Sequence, residues 1–198
     1  MKSTTARPYR MGARAEAAAA TGERILDEAV RLFWESPGTE MSLDAVARGA
    51  GVTRQTVIRR FGGKEGLVAA AAAREAQRVR DHRDAAPVGD VTAAVAVLVE
   101  HYERNGEQVL RLLAEEVRNP AVAPIAESGR RLHRDWCAQV FAPGLGRVSG
   151  VERRRRQAQV VAVCDVYVWK LLRLDSGLSR KQTELAIVGL LAPLVEES

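Results

Sequence analysis

The segment Ser42–Leu67, with the sequence SLDAVARGAGVTRQTVIRRFGGKEGL, decides the fold of the N-terminal part of this chain. Its apolar positions supply the buried side of two short helices: Leu43, Val46, Ala47, Ala50, Val52, Val57 and Phe61. Ala50 and Gly51 allow two helices to cross closely, and Gly51 suits the left-handed backbone of a tight turn. Thr53 can then cap the second helix by accepting a hydrogen bond from a free amide. The segment predicts a helix-turn-helix, a motif whose second helix enters the DNA major groove in known examples.

Positive charge in this segment is concentrated on the second helix and just after it. Its cations are Arg54, Arg59, Arg60 and Lys64, with no Asp or Glu among them. Val57 and Phe61 are four residues apart and therefore point together into the core. Arg54, Gln55, Ile58 and Arg59 fall mostly on the opposite face, and Arg and Gln match the purine edges. Four cations on a short helix can simply be a solvated face, but their concentration beside a turn motif favours DNA.

The segment resembles the N-terminal domain of the TetR family of transcriptional regulators. The matching elements are Ala45–Ala47, Ala50–Thr53, Phe61 and Lys64–Leu67, with Arg24–Ala29 and Leu32–Phe33 in the preceding helix. The resemblance covers roughly Glu23 to Leu67, about a quarter of the chain. With the residues above, it predicts these DNA contacts: Ser42, Thr53, Arg54, Gln55, Thr56, Ile58, Arg59, Arg60 and Lys64.

Three positions of the second helix depart from the family pattern. The family usually has an aromatic residue, commonly Tyr, at the position of Ile58, and often His at the position of Arg60. Ile58 lacks the tyrosine hydroxyl that reaches a DNA phosphate, so we infer that Arg59 or Arg60 makes that contact while Ile58 presses on a sugar or thymine methyl. Gln55 replaces a usually small residue and could read a base or contact a phosphate. The operator sequence should therefore differ from those of better-matched relatives.

Composition is that of an ordinary soluble protein with a basic balance. The chain has 198 residues, 46% hydrophobic and 28% charged, a formal net charge of +5 and a sequence pI of about 9.7. This charge is compatible with a nucleic-acid partner but does not prove one. Cys137 and Cys164 lack metal-ligand spacing, so buried structural thiols are favoured over a redox pair. We expect no metal, no membrane span, no signal segment and a cytoplasmic location.

The predicted organisation is all-α with about nine helices in two domains. Residues 1–20 form a flexible basic tail that could alternatively be an arm reaching DNA, residues 21–67 the helix-turn-helix domain, and residues 68–198 a helical ligand-binding and dimerisation domain. The first helix is expected from about Gly22 to Glu35, ended by Pro37-Gly38. Later helices are expected near 90–104, 107–118, 121–141, 151–175 and 180–196, with Asn105-Gly106 among the breaks and a Ser179/Gln182 capping box.

The last two predicted helices are more apolar than one side of a surface helix requires. One carries Val160, Val161, Val163, Val166, Val168, Leu171, Leu172 and Leu174, and the other Ile187, Val188, Leu190, Leu191, Leu194 and Val195. A helix that is apolar all round is buried in its own chain or against another chain. In TetR-like proteins these helices form a two-fold bundle between subunits, so the resemblance implies a homodimer. The run Arg153–Arg156 is interpreted as a solvated helix start rather than a second DNA site.

The resemblance also implies a small-molecule effector bound among the helices of the second domain. The polar and aromatic candidates for contacting it are Tyr102, His133, Trp136, Asp165 and Tyr167. Asp165 interrupts an apolar run and, if buried, needs a donor or a cationic ligand; it could also bond across a dimer interface or face water. Trp136 and Tyr167 are as readily explained as core residues.

The sequence therefore predicts a homodimeric repressor that a small-molecule effector releases from a near-palindromic operator in double-stranded DNA. A ligand-independent regulator or an activator would use the same DNA-binding domain. A helical protein–protein adaptor with a degenerate DNA-binding domain is the alternative that the loss of the aromatic at Ile58 suggests. We predict no enzymatic activity and no cofactor, because the three histidines lie on separate predicted helices and no HExxH, GxSxG or phosphate-binding glycine loop is present.

Overall fold

The computed structural model describes residues 6–35 and 41–195, and these residues are helical with no strand among them. The helices are α1 Ala6–Glu35, α2 Leu43–Gly49, α3 Arg54–Phe61, α4 Lys64–Arg83, α5 Val91–Glu115, α6 Ala123–Val140, α7 Ala142–Leu145, α8 Gly150–Val163, α9 Val166–Lys170 and α10 Arg180–Val195. A π-helical turn, Leu171–Asp175, continues α9. The all-α prediction is confirmed. None of the described helices combines the length and apolar character needed to cross a bilayer.

The chain divides into two compact units, residues 1–74 and 75–198, with the division inside α4. The first unit packs α1–α3 and the start of α4 around one apolar cluster. Its buried members are Ile25, Leu26, Ala29, Val46, Ala47, Ala50, Val57, Leu67 and Ala71. At the edge of this cluster, Arg74 pairs with Glu23 at 3.0 Å and Asp27 at 2.9 Å, which ties α4 to α1. This core is the one that the pattern of Ser42–Leu67 predicts.

Helix α1 begins much earlier than its predicted start near Gly22. It includes residues 6–21, and the side chains of residues 15–20 are exposed. The start was missed because no apolar periodicity marks this part of the sequence, whereas the alanines at 17–20 have the highest helix propensity and need no buried face. The helix ends at Glu35 as predicted, while Pro37-Gly38 and residues 1–5 lie outside the described residues. A DNA-contacting role for this segment stays a prediction.

The second unit packs α5–α10 around a larger apolar cluster. That cluster includes Val95, Leu98, Val99, Tyr102, Trp136, Cys137, Val140, Phe141, Val160, Cys164, Val166, Trp169, Ile187 and Leu191. Cys137 and Cys164 are buried and form no disulfide. The capping box at the start of α10 is present: the Ser179 amide donates to Gln182 Oε1 at 3.0 Å, and the Gln182 amide donates to Ser179 Oγ at 3.3 Å.

Two predicted helix limits in this unit are wrong. Helix α5 runs through Asn105-Gly106 without a break, because Gly106 gives room to a neighbouring ring: a Cβ there would lie 2.4 Å from Trp169 Cζ3. Conversely, the helix expected over 151–175 is interrupted between α8 and α9. Asp165 causes this interruption, since its carboxylate accepts a hydrogen bond from the Tyr167 amide at 3.0 Å and starts a new helix.

Candidate functional site

The turn between α2 and α3 has the geometry of a helix-turn-helix. Gly51 has a φ of 66°, a left-handed conformation that favours glycine. The Val52 amide donates to the Ala47 carbonyl at 2.9 Å, which closes the turn. The cap of α2 is Ser42, whose hydroxyl accepts from the Ala45 amide at 3.5 Å and is exposed. The turn therefore fixes the direction in which α3 leaves the core.

Two threonine hydroxyls organise the start of α3. Thr53 Oγ1 accepts a hydrogen bond from the Thr56 amide at 3.2 Å. The same oxygen lies 2.9 Å from Thr56 Oγ1, so the two hydroxyls are also bonded to each other. Thr53 is exposed and Thr56 is half-buried. Both predicted DNA contacts thus have a structural role in the cap, and their positions at the first turn of α3 are fixed by it.

Helix α3 separates its buried and exposed side chains as its sequence predicts. Val57 is fully buried and Phe61 is half-buried against the core. Arg54, Gln55 and Arg59 are exposed together on the other face. The half-buried Ile58 has no hydroxyl to offer a phosphate. Arg54 lies 3.7 Å from the exposed Asp44 carboxylate, a long surface ion pair that restrains it little.

Arg60 is oriented differently from the other cations of α3. Its guanidinium lies against α1 at Gly22, where a Cβ would be 2.3 Å from Arg60 Nη2. It also lies 5.9 Å from the centre of the Phe61 ring, within the range of a cation–π contact. The structure therefore brings Arg54, Gln55 and Arg59 together and places the Arg60 guanidinium on its own domain.

Lys64 begins α4, directly after the turn that ends α3. Gly62 closes α3 with a φ of 78° and donates its amide to the Ile58 carbonyl at 2.8 Å. Gly66 then approaches the end of α3 so closely that a Cβ would lie 1.9 Å from the Phe61 carbonyl oxygen. Lys64 is exposed at this helix N-terminus. A cation beside free helix amides is a suitable contact for a phosphate.

The five predicted effector contacts do not form one group in the second unit. Tyr102 is buried and donates its hydroxyl to the Cys164 carbonyl at 3.0 Å. Trp136 is buried, and its indole N–H donates to the Arg83 carbonyl at 3.2 Å, next to the buried His133. Asp165 is the helix cap described above, and Tyr167 is half exposed on the surface. Tyr102, His133 and Trp136 therefore lie in the interior of the second unit. Asp165 and Tyr167 do not lie with them.

A cleft of about 400 Å³ opens beside Tyr102. It lies between α5 and the α9 segment, and its charged wall includes Glu103, which accepts hydrogen bonds from Trp169 Nε1 and Arg173 Nε at 3.0 Å each. Of the predicted contacts, Tyr102 alone lines it. The other lining residues are Glu103, Arg104, Gly106, Glu107, Gln108, Arg111, Trp169, Arg173 and Leu174.

Two of the buried polar residues of the second unit, Arg83 and His101, were not predicted as site residues from the sequence. Both lie at helix positions that carry no distinguishing motif, and only the tertiary packing shows their burial. Burial, reinforced by the neighbouring positive charge of Arg83, lowers the pKa of His101 to about 3, so this histidine is neutral near pH 7. The sequence offered one clue: it has only three histidines, so a contact between any two of them was worth testing.

Comparison with known proteins agrees with the geometry of the first unit. Residues 25–71 match the family described as "Bacterial regulatory proteins, tetR family". No curated protein is detectably similar in sequence to the chain.

The fold of the chain is found in solved structures of regulators. It resembles a protein from Rhodococcus sp. that is assigned to the TetR family of transcriptional regulators, with 17% identity and a TM-score of 0.58 over 89% of this chain and 100% of the other. It is similar to a protein from Streptomyces coelicolor A3(2) assigned as a transcriptional regulator, with 23% identity and a TM-score of 0.58 over 89% and 99%. A TetR transcription regulator from Haloarcula marismortui ATCC 43049 aligns with 13% identity and a TM-score of 0.55 over 89% and 97%.

The first unit has the helix-turn-helix of a DNA-binding domain, and the chain has the fold of solved transcription regulators. The family match over the first unit and the shared fold over most of the chain confirm the resemblance to the TetR family.

Proposed function

We propose that this chain is a homodimeric repressor that binds a near-palindromic operator and leaves it when a small molecule binds the second unit. The observation that carries the proposal is the exposed face of α3, where Arg54, Gln55 and Arg59 point away from the core that Val57 anchors. Forked donors on a helix held by a tight turn fit the edges of bases in a major groove.

An exposed apolar surface at the C-terminal end of the chain supports the dimer. Its large members are Tyr167, Leu171, Leu174, Leu185 and Leu190, each more than two-fifths exposed. Helix α10 buries Ile187 and Leu191 in its own unit, whereas Leu185 and Leu190 of the same helix remain exposed. A second copy of the chain is the occupant that also serves DNA binding, because two copies of α3 on successive turns of one duplex multiply the affinity of each.

Release requires that the effector bind the two conformations of the dimer unequally. In the conformation that fits DNA, the two α3 helices match successive grooves; the effector favours another conformation and shifts the population toward it. By linkage, DNA weakens effector binding by the same factor. The cleft beside Tyr102 and the buried polar residues around Arg83 support the second unit as the place where a ligand could act.

The test is selection of bound fragments from genomic DNA, followed by gel-shift titration over a range of salt concentrations. We expect one near-palindromic sequence to be enriched and its affinity to fall steeply with salt, because Lys and Arg contacts release counterions. Compounds are then screened for release of that fragment. Weak binding that is indifferent to sequence would contradict the proposal and favour the adaptor alternative, and sequence-selective binding that no compound relieves would favour a ligand-independent regulator.

A further inference from the structure

All three histidines of the chain lie near one arginine, Arg83, inside the second unit. His82 and Arg83 come from the end of α4, His101 from α5 and His133 from α6. The His82 and His101 ring centres are 6.2 Å apart, and Arg83 Nη1 lies 3.2 Å from His133 Nδ1. The rings are held in place, since His133 Nε2 lies 3.1 Å from the Val161 carbonyl oxygen and His82 Nε2 lies 3.3 Å from that of Val97.

Arg83 is a buried cation, and none of its contacts between described residues is with a carboxylate. Only 4% of it is exposed, and its Nε is buried with no hydrogen-bond partner. Its contacts are the His133 ring nitrogen and the face of Trp136, 5.2 Å from the guanidinium carbon. None of the ion pairs between described residues includes it. Removing a charge from water without a counter-charge is costly, so an uncompensated arginine persists only where it has a use.

Other arginines of the chain show that carboxylates are available to more exposed cations. Arg130 on α6 is far more accessible than Arg83, yet it donates two hydrogen bonds to Glu116, at 2.7 and 2.6 Å. Arg155 and Arg156 both pair with Glu152 on the surface. Arg83 therefore differs from these arginines in having no carboxylate beside it, although its burial makes a counter-charge most valuable.

The neighbours of Arg83 fit an anion and do not fit a metal. No group of three or more His, Cys, Asp or Glu among the described residues could hold a metal ion. Arg83 brings a fixed positive charge to the cluster, while burial keeps His101 neutral. One negative charge would balance it, whereas a doubly charged phosphate would remain partly uncompensated. The planar fork of a guanidinium matches a carboxylate through two parallel hydrogen bonds.

We propose that Arg83 anchors a binding site for a small organic acid whose carboxylate pairs with its guanidinium. His133 positions the guanidinium through its ring nitrogen. The site itself is argued from Arg83, but the role of the acid as the effector recognised by the second unit rests on the proposed function.

The experiment measures thermal unfolding and tryptophan fluorescence of the full chain with benzoate as the probe. Benzamide at the same concentration, sodium chloride at the same ionic strength and inorganic phosphate are the comparisons. We expect millimolar benzoate to raise the unfolding midpoint and change the fluorescence, with much smaller effects of the other three. Absence of any benzoate effect, or an equal effect of benzamide or chloride, would overturn the proposal, and a larger effect of phosphate would overturn the assignment to a carboxylate.

Arg83→Met keeps the length of the side chain and removes its charge. We expect this variant to have a higher unfolding midpoint than the wild type without ligand, because the unpaired buried charge is gone, and to lose the benzoate response. The matched control is Arg154→Met, which changes an exposed arginine of α8. It should change neither the unfolding midpoint nor the benzoate response. A less stable or unfolded Arg83→Met protein would give Arg83 a structural role and overturn the proposal.

DNA binding is measured separately on the same proteins. If benzoate binds through Arg83 but leaves the DNA complex intact, the anion site stands and its coupling to the operator fails. If the chain binds no operator, the fluorescence titration still decides the anion site.

Discussion

At the scale of single residues, we expect the exposed side chains of α3 and the first residue of α4 to have different roles in DNA binding. Arg54 and Gln55 lie at the first turn, where a recognition helix places its base-reading residues. Lys64 lies beyond the end of α3, at the start of α4. We expect the first pair to carry sequence selectivity and Lys64 to carry affinity that is independent of sequence.

The first prediction concerns Arg54 or Gln55. Either substitution to Ala should narrow the difference in binding free energy between operator and random DNA by about 1–3 kcal/mol, because a base-edge contact is lost. Gel shifts on both DNAs measure it. An equal loss of affinity on both DNAs would assign the side chain to a phosphate.

The matched comparison is Lys64→Ala. We expect it to weaken binding to operator and random DNA alike and to reduce the slope of log affinity against log salt by about one, because one phosphate contact is lost. An unchanged slope would remove Lys64 from the phosphate contacts.

A second prediction at this scale concerns the buried His101. Its pKa is about 3 in the folded chain and about 6.5 in the unfolded chain. Between these two pH values His101 is protonated in the unfolded state and neutral in the folded state. The free energy of unfolding should therefore fall as pH drops from 6.5 toward 3. His101→Gln should lose less stability over this interval, by about 1.4 kcal/mol per pH unit. Denaturant titrations at several pH values measure the difference, and parallel pH profiles would contradict it.

At the scale of elements, close approaches and caps decide where helices break. Gly106 lies within unbroken α5, although Asn105-Gly106 has the composition of a turn, because the Trp169 ring occupies the space of a Cβ. Asp165 ends one helix and begins another inside an apolar run, because its carboxylate satisfies an amide that α8 cannot. The sequence pattern gives the type of each residue but does not show which neighbouring group will contact it in the fold.

A matched pair of glycines tests this explanation. Gly106→Ala should destabilise the chain by about 1–3 kcal/mol, because the new methyl group overlaps the buried Trp169 ring. Gly129→Ala on α6, where no atom lies within 4 Å of the added Cβ, should stabilise it by about 0.5–1 kcal/mol. Chemical denaturation of both variants gives the two free energies of unfolding. Effects of the same sign would show that helix propensity, rather than the ring, governs position 106.

At the scale of the whole molecule, several large apolar side chains on and near α10 remain exposed. Leu190 is 51% exposed, although the neighbouring Leu191 is buried, so a single copy of the chain leaves the Leu190 side chain uncovered. Large apolar side chains grouped on one surface are typical of an interface. The proposed second copy would bury them and would bring a second α3 to the same DNA.

Leu190→Glu is therefore predicted to convert a dimer into a monomer. A charge at the centre of an apolar interface leaves a buried carboxylate unpaired, and operator affinity should fall about 100-fold or more as bivalent binding is lost. Analytical ultracentrifugation and gel shifts measure both effects.

The control is Val117→Glu, which changes a side chain that is 92% exposed between α5 and α6. It should leave both the mass and the operator affinity unchanged. A Leu190→Glu protein that remained dimeric would place the interface on another surface.

Local sequence patterns were sufficient to predict the helix-turn-helix, the caps at Ser42 and Thr53 and the division of α3 into a buried and an exposed face. These features depend on side chains a few residues apart, so local spacing is sufficient to predict them. Contacts between distant residues depend on the packed fold: the continuity of α5 beside Trp169, the contact of Arg60 with α1, and the bond between Arg83 and His133. Burial depends on which helices pack together, and for that reason a charged residue such as Arg83 looks like any surface arginine until the fold encloses it.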